Sequence, residues 1–117
     1  MGRYDDLFQR LERAVLDGRG ETPPALRQAV AARTAELGGR PKDAASPASG
    51  EPIPADLRGF VDTIGRHAYR VTDEDVEALL RAGYSEDVIF EVSISAALGA
   101  GQARLERGLA ALRGGQR

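Results

Sequence analysis

The chain has 117 residues, which is enough for one domain and no more. Leu, Ile, Val and Phe together number 26, just above the level at which disorder is the default expectation, so the core is predicted to be thin and rich in Ala and Leu. The formal net charge of −2 gives no bulk field that would favour nucleic acid or an anionic membrane. The absence of cysteine excludes disulfides, thiolate nucleophiles and thiolate metal sites.

Assembly and location are predicted from the same composition. A domain this small, with so few large apolar side chains, often completes its burial by association, so we expect a homo-oligomer. The acidic start of the chain lacks the apolar segment of a signal peptide, and no apolar run has the length of a membrane span, so we expect a cytoplasmic protein. We expect no metal and no cofactor, because zinc spacing and a glycine-rich phosphate loop are both missing.

Two helices are predicted in the N-terminal third. Apolar residues at a 3.6-residue period indicate the first helix, which should end at Gly18-Arg19-Gly20. Thr22 is expected to cap the second helix, with Pro23 in its first position and Gly38-Gly39 at its end. Residues 39–52 contain Pro, Gly and Ser but almost nothing apolar beyond Ala, which is typical of a flexible loop. The apolar positions of the first helix are Tyr4, Leu7, Phe8, Leu11 and Val15.

The C-terminal half of the sequence predicts three more helices. The third begins near Pro54, and Thr72 opens the fourth with a capping box in which Asp75 replaces the usual Glu. Ser85 is expected to cap the last and longest helix, from about residue 86 to 113. No segment has the alternating pattern of a strand. The predicted fold is therefore all-α: a compact bundle of about five helices with a long final helix, forming a single domain over residues 1–117.

The last helix carries an unusual number of small residues. Its first half is apolar nearly all round, so we expect it to be central in the bundle. Glycines inside a helix cost about 1 kcal/mol each relative to Ala, which favours either close approach of another helix or a kink. The smooth surface that contains Ser93, Ala97 and Gly101 is the predicted oligomer interface.

Three polar residues are candidates for a site. His67 is the only histidine and hence the only side chain expected to titrate near neutral pH, as a catalytic acid/base group would. Glu91 lies among apolar residues of the last helix, where a carboxylate needs a partner or an upward shift of its pKa; Arg104, Arg66 or Arg70 could supply the charge. Arg104 is also a candidate to bind a small anionic ligand. The alternative interpretation of each is structural, as a helix-end cation or an ion pair.

The stretch from Val71 to Val92, which reads VTDEDVEALLRAGYSEDVIFEV, resembles the C-terminal part of the carboxymuconolactone decarboxylase and alkylhydroperoxidase D family. The later Arg104-Leu105 pair and the upstream helix at 23–30 are similar to other parts of that family. Redox members carry a C-x-x-C-x-x-x-H motif between these regions, whereas residues 36–54 here contain neither Cys nor His. The resemblance therefore implies the all-helical, oligomeric fold of the family without its thiol peroxidase site.

Three hypotheses for the function remain open. The first is a non-redox helical homo-oligomer with a binding or accessory role, associating through the small-residue surface and the apolar face of the first helix. The second is a cysteine-free enzyme of the lactone decarboxylase or isomerase type, with His67 and Glu91 as acid/base groups and an arginine that holds an anionic substrate. The third is a subunit that docks onto another protein through Leu105, Leu109 and Leu112.

Overall fold

The computed structural model describes residues 2–39 and 53–114 of the chain, with side chains from Asp6 onward. Within these ranges every regular element is helical. The helices are α1 (Gly2–Leu16), α2 (Pro24–Leu37), α3 (Ala55–His67), α4 (Asp73–Arg81) and α5 (Glu86–Gly114), and a short 3₁₀ turn (Ala68–Arg70) follows α3. The predicted all-α architecture with a long final helix is confirmed. The predicted loop at 39–52 lies, apart from Gly39, outside the described residues.

Local signals place most helix ends where the sequence predicts them. Thr72 accepts from the amide of Asp75, and the Asp75 carboxylate accepts from the amide of Thr72, which completes the predicted capping box at α4. The hydroxyl of Ser85 accepts from the amide of Val88 at the start of α5. Gly83 has a φ of 104° and terminates α4, a left-handed conformation that an L side chain rarely adopts.

The start of α2 differs from the prediction by one residue. Pro23 occupies the N-cap position and Pro24 begins the helix, so Thr22 is not the cap. The hydroxyl of Thr22 instead donates to the carboxylate of Glu91, 69 residues further along the chain. The prediction was wrong because a distant acceptor holds the side chain that would otherwise cap the helix.

The core lies where α2, α3 and α5 meet. Val30, Leu57, Val61 and Val92 are almost completely removed from solvent there. α5 comes so close to α2 that a Cβ on Gly99 would overlap the carbonyl oxygen of Ala31 and the hydroxyl of Thr34. Close approach to another helix is therefore the explanation for Gly99.

Two polar contacts fix neighbouring elements to this core. Arg33 of α2 pairs with Asp62 of α3 through both carboxylate oxygens, at 2.5 and 2.8 Å. The Arg33 hydrogen bonds lower the pKa of Asp62 despite partial burial. The hydroxyl of Tyr84 donates to Asp56 at 2.5 Å and joins the α4–α5 turn to the first turn of α3; this hydrogen bond, helped by burial, raises the pKa of Tyr84 to about 12.

None of the helices in the described ranges is long and apolar enough to cross a membrane.

Candidate functional site

Glu91 is positioned by the first turns of α5, and its carboxylate reaches the turn between α1 and α2. It accepts hydrogen bonds from the amide of Glu21 (2.7 Å), the amide of Thr22 (2.9 Å) and the hydroxyl of Thr22 (2.6 Å). A Cβ on Gly20 would lie 2.7 Å from either carboxylate oxygen, so glycine lets the chain pass close to them. These contacts tie the long helix to the start of α2.

The ionisation of Glu91 is set by two opposing effects. Burial by itself raises the pKa of the carboxyl group, but the three hydrogen bonds and the nearby charge of Arg27 outweigh it, and the pKa is lowered. The nearby cation is therefore Arg27, whereas the sequence suggested Arg104, Arg66 or Arg70. A carboxylate held in its ionised form in this way is favoured as a structural anchor over a proton donor at neutral pH.

Arg27 was not singled out by the sequence, yet it is one of the most buried polar residues, with 3% of its surface exposed. Its guanidinium donates to the carbonyl oxygens of Val15 (2.6 Å), Gly18 (2.5 Å) and Thr22 (3.3 Å). The carbonyl of Val15 lies in the last turn of α1, where no helical amide is left to satisfy it. Arg27 and Glu91 thus both hold the α1–α2 turn, Arg27 through its carbonyls and Glu91 through its amides and the Thr22 hydroxyl.

His67 lies in a different setting from Glu91. It is exposed in the last residue of α3, and its ring centroid is 5.6 Å from that of the exposed Tyr69. The hydrogen-bond donors to Glu91 belong to the turn before α2, whereas the ring of His67 lies against Tyr69 after α3. The catalytic roles suggested for His67 and Glu91 remain predictions, with no shared hydrogen-bond partner among the described contacts to support them.

Arg104 contacts the end of α3. One guanidinium nitrogen donates to the carbonyl oxygen of Gly65 at 3.4 Å, in the last turn of that helix. A cation at a helix C-terminus interacts favourably with the helix dipole, which accounts for this contact. Its role in binding an anionic ligand also remains a prediction.

The central position of α5 is observed, but one face of the helix is open to solvent. Phe90 is 63% exposed, Ile94 40%, Leu105 38% and Leu112 67%. Between these large side chains lie small residues, and a Cβ on Gly101 or Gly108 would meet nothing within 4 Å. We call this face the α5 stripe; it consists of Phe90, Ile94, Ala97, Gly101, Leu105, Gly108 and Leu112.

The predicted oligomer interface falls on the α5 stripe and its edge. Ala97 is exposed and Gly101 half-buried, and both belong to the stripe. Ser93 is half-buried at the edge, and its hydroxyl donates to the carbonyl oxygen of Ile89 at 2.7 Å, one turn earlier in the same helix. The sequence did not indicate that Phe90 and Ile94 share this face, because an apolar run on all sides of a helix suggests full burial.

α1 adds a second exposed apolar surface. Leu7 and Leu11 each expose about half of their surface, although α1 packs against α2 and α5. Some of the apolar side chains whose period predicted α1 therefore remain half exposed within one chain.

Comparisons with protein-family models, with curated proteins and with solved structures find no match for this chain.

Proposed function

We propose that this protein is a non-redox, alkylhydroperoxidase D-like helical homo-oligomer with a binding or accessory role. The α5 stripe is the observation that carries the proposal. A contiguous apolar surface on a small protein commonly marks a contact with another protein, since covering it removes apolar area from water. The half-exposed Leu7 and Leu11 of α1 extend the apolar surface available for association.

The family part of the proposal is supported by residues alone. The run from Val71 to Val92 that carries the resemblance corresponds to α4, the Gly83 turn and the start of α5. The lack of cysteine supports the non-redox part, because a thiol peroxidase requires a thiolate.

The hydrogen bonds of Glu91 give the enzyme alternative less support. Its three hydrogen-bond donors come from the backbone or side chain of the turn before α2, which is the environment of a structural anchor. An acid/base group needs access to the proton that it transfers. The alternative of a subunit that docks onto a different protein uses Leu105 and Leu112 of the same stripe, so both association hypotheses depend on this surface.

The test is the mass of the protein in solution, measured by size-exclusion chromatography with light scattering over a range of concentrations. We expect the wild-type chain to form at least a dimer and the Ala97→Glu variant to elute as a monomer, because a buried unpaired carboxylate opposes association. Ala110→Glu is the matched control, since it places the same charge at an exposed position on the opposite side of α5. A monomeric wild type, or an unchanged mass in Ala97→Glu, would contradict the proposal.

A further inference from the structure

We propose that two copies of this chain pair through the α5 stripe in antiparallel orientation, with the twofold axis at Gly101. This inference deepens the proposed function and rests on it: it names the partner surface as the same stripe of a second copy. A twofold interface must be self-complementary, so that residue n of one copy faces residue 202 − n of the other. The spacing of the stripe is symmetric about Gly101, so each of its positions faces another position of the stripe.

The spacing of the stripe keeps it on one side of the helix. From Phe90 to Leu112 it spans 22 residues in six steps of three or four, about 3.67 residues per step, which is the value of an 11-residue repeat. Such a repeat nearly matches the α-helical period, so the stripe runs almost straight for about 33 Å. A second straight helix can therefore follow it from end to end.

Side-chain size is complementary in the inner pairs on either side of Gly101, between the large residues at the two ends of the stripe. Phe90 of one copy faces Leu112 of the other, and Gly101 faces itself. Alternating large and small residues across facing positions lets two surfaces interdigitate. The inner pairs have this property, as Ile94 faces Gly108 and Ala97 faces Leu105.

A parallel pair would lack this complementarity. In a parallel, in-register pair Leu105 would face Leu105 and Gly108 would face Gly108. Bulky side chains would then hold the helices apart at one level and leave a gap at the next. Size complementarity therefore favours the antiparallel arrangement.

The charges of α5 favour the same orientation. Its first turn carries the exposed acidic residues Glu86 and Asp87, and its last turn carries the exposed Arg113. In the antiparallel pair the acidic first turn of one α5 lies at the Arg113 end of the other. A parallel pair would place acids against acids and arginines against arginines, which is unfavourable.

The far end of α5 is also mostly exposed to solvent. Beyond Ala103, every residue of the helix up to Gly114 is exposed except the half-buried Leu109. The antiparallel pair would place this end beside the Phe90 end of the partner's α5. Two mostly exposed helix ends would thus be covered at once by one twofold contact.

The experiment uses the full chain and its lack of cysteine. Phe90→Cys and Leu112→Cys are each prepared separately, and both positions are well exposed, so neither change disturbs the core. The two variants are mixed and treated with a short thiol-specific crosslinker. We expect a crosslinked heterodimer of Phe90→Cys with Leu112→Cys as the main product, with little product from either variant alone, because identical positions would lie about 33 Å apart.

Two controls make the outcome specific. Gly101→Cys alone should crosslink to itself, since a side chain at this position meets no atom of its own chain. Ala110→Cys, at an exposed position on the opposite side of α5 from the stripe, should not crosslink with Phe90→Cys above the level of random collision.

The possible failures are distinguishable. An oligomeric wild type with efficient self-crosslinking of Phe90→Cys would overturn the antiparallel arrangement and leave the proposed function standing. An oligomer in which neither the mixed pair nor Gly101→Cys crosslinks would overturn the α5 stripe as the contact. A wild-type chain that is monomeric by light scattering would overturn both the inference and the proposed function.

Discussion

At the scale of single residues, the carboxylate of Glu91 accepts hydrogen bonds from residues that are distant in the sequence and lie outside its own helix. Its carboxylate receives two backbone amides and one hydroxyl from residues 21 and 22, and Arg27 lies near enough to lower its pKa further. Arg27 also donates to the carbonyl of Val15 in the last turn of α1 and to that of Gly18 in the turn that follows. Two charges of opposite sign thus satisfy the backbone groups of a turn that has few other partners.

This arrangement predicts a specific cost for neutralising the carboxylate. Glu91→Gln replaces one acceptor oxygen by an NH₂ group, which would face an N–H or O–H donor and leave it unpaired. Since a hydrogen bond to a charged group is worth about 1.5–3 kcal/mol, we expect the free energy of unfolding at pH 7 to fall by a similar amount. Urea unfolding followed by circular dichroism measures this change.

The matched control is Glu77→Gln, which removes an exposed carboxylate paired with Arg81 at 3.9 Å. An exposed pair of this kind contributes less than about 1 kcal/mol, so its loss should be small. Equal effects of the two substitutions would show that Glu91 does not anchor the turn.

At the scale of helices, the sequence predicts a feature well when the residues that form it are close together along the chain. The capping box at Thr72 and the cap at Ser85 involve residues only a few positions apart, and the sequence predicted them correctly. The cap at Thr22 was wrong because its competitor, Glu91, is distant in sequence. Local patterns cannot reveal such a competitor.

The same limit applies to the glycines and to the candidate site. Gly99 and Gly101 are two residues apart and look alike in the sequence, but only Gly99 faces α2. The sequence predicted a small-residue surface with Ala97 and Gly101, and both are accessible. It could not show which of the surrounding apolar residues share their face, because that depends on where the other helices pack.

The α2–α5 contact yields a test of helix packing. Gly99→Ala places a methyl group against the carbonyl of Ala31 and the hydroxyl of Thr34, and overpacking of this kind costs about 1–3 kcal/mol. We therefore expect Gly99→Ala to lower the melting temperature. Gly59→Ala on α3, where a Cβ meets nothing within 4 Å, is the control and should raise it through a gain in helix propensity of about 1 kcal/mol. Stabilisation by Gly99→Ala would contradict the close approach of α2 and α5.

At the scale of the whole molecule, ionised carboxylates link helices that are far apart in sequence. Asp62 joins α3 to α2 through Arg33, and Glu91 joins α5 to the turn that precedes α2. The two contacts hold α2 and the turn that precedes it, and α2 also shares its most extensive contact with α5. Protonation of these two groups therefore weakens the connections of one central helix, and the effect should appear in global unfolding.

The lowered pKa values of Asp62 and Glu91 predict that the free energy of unfolding decreases as the pH falls. The folded protein lowers the pKa of Asp62 and Glu91 below their usual values of 3.8 and 4.5, so the unfolded chain binds more protons as the pH falls through this region. Their contribution to stability is complete above about pH 5 and is lost as the pH drops through the folded-state pKa values. Urea unfolding between pH 7 and pH 3 should show a falling midpoint, with a shallower fall in Glu91→Gln than in Glu77→Gln. Parallel curves for these two variants would mean that Glu91 does not contribute to the acid sensitivity of the fold.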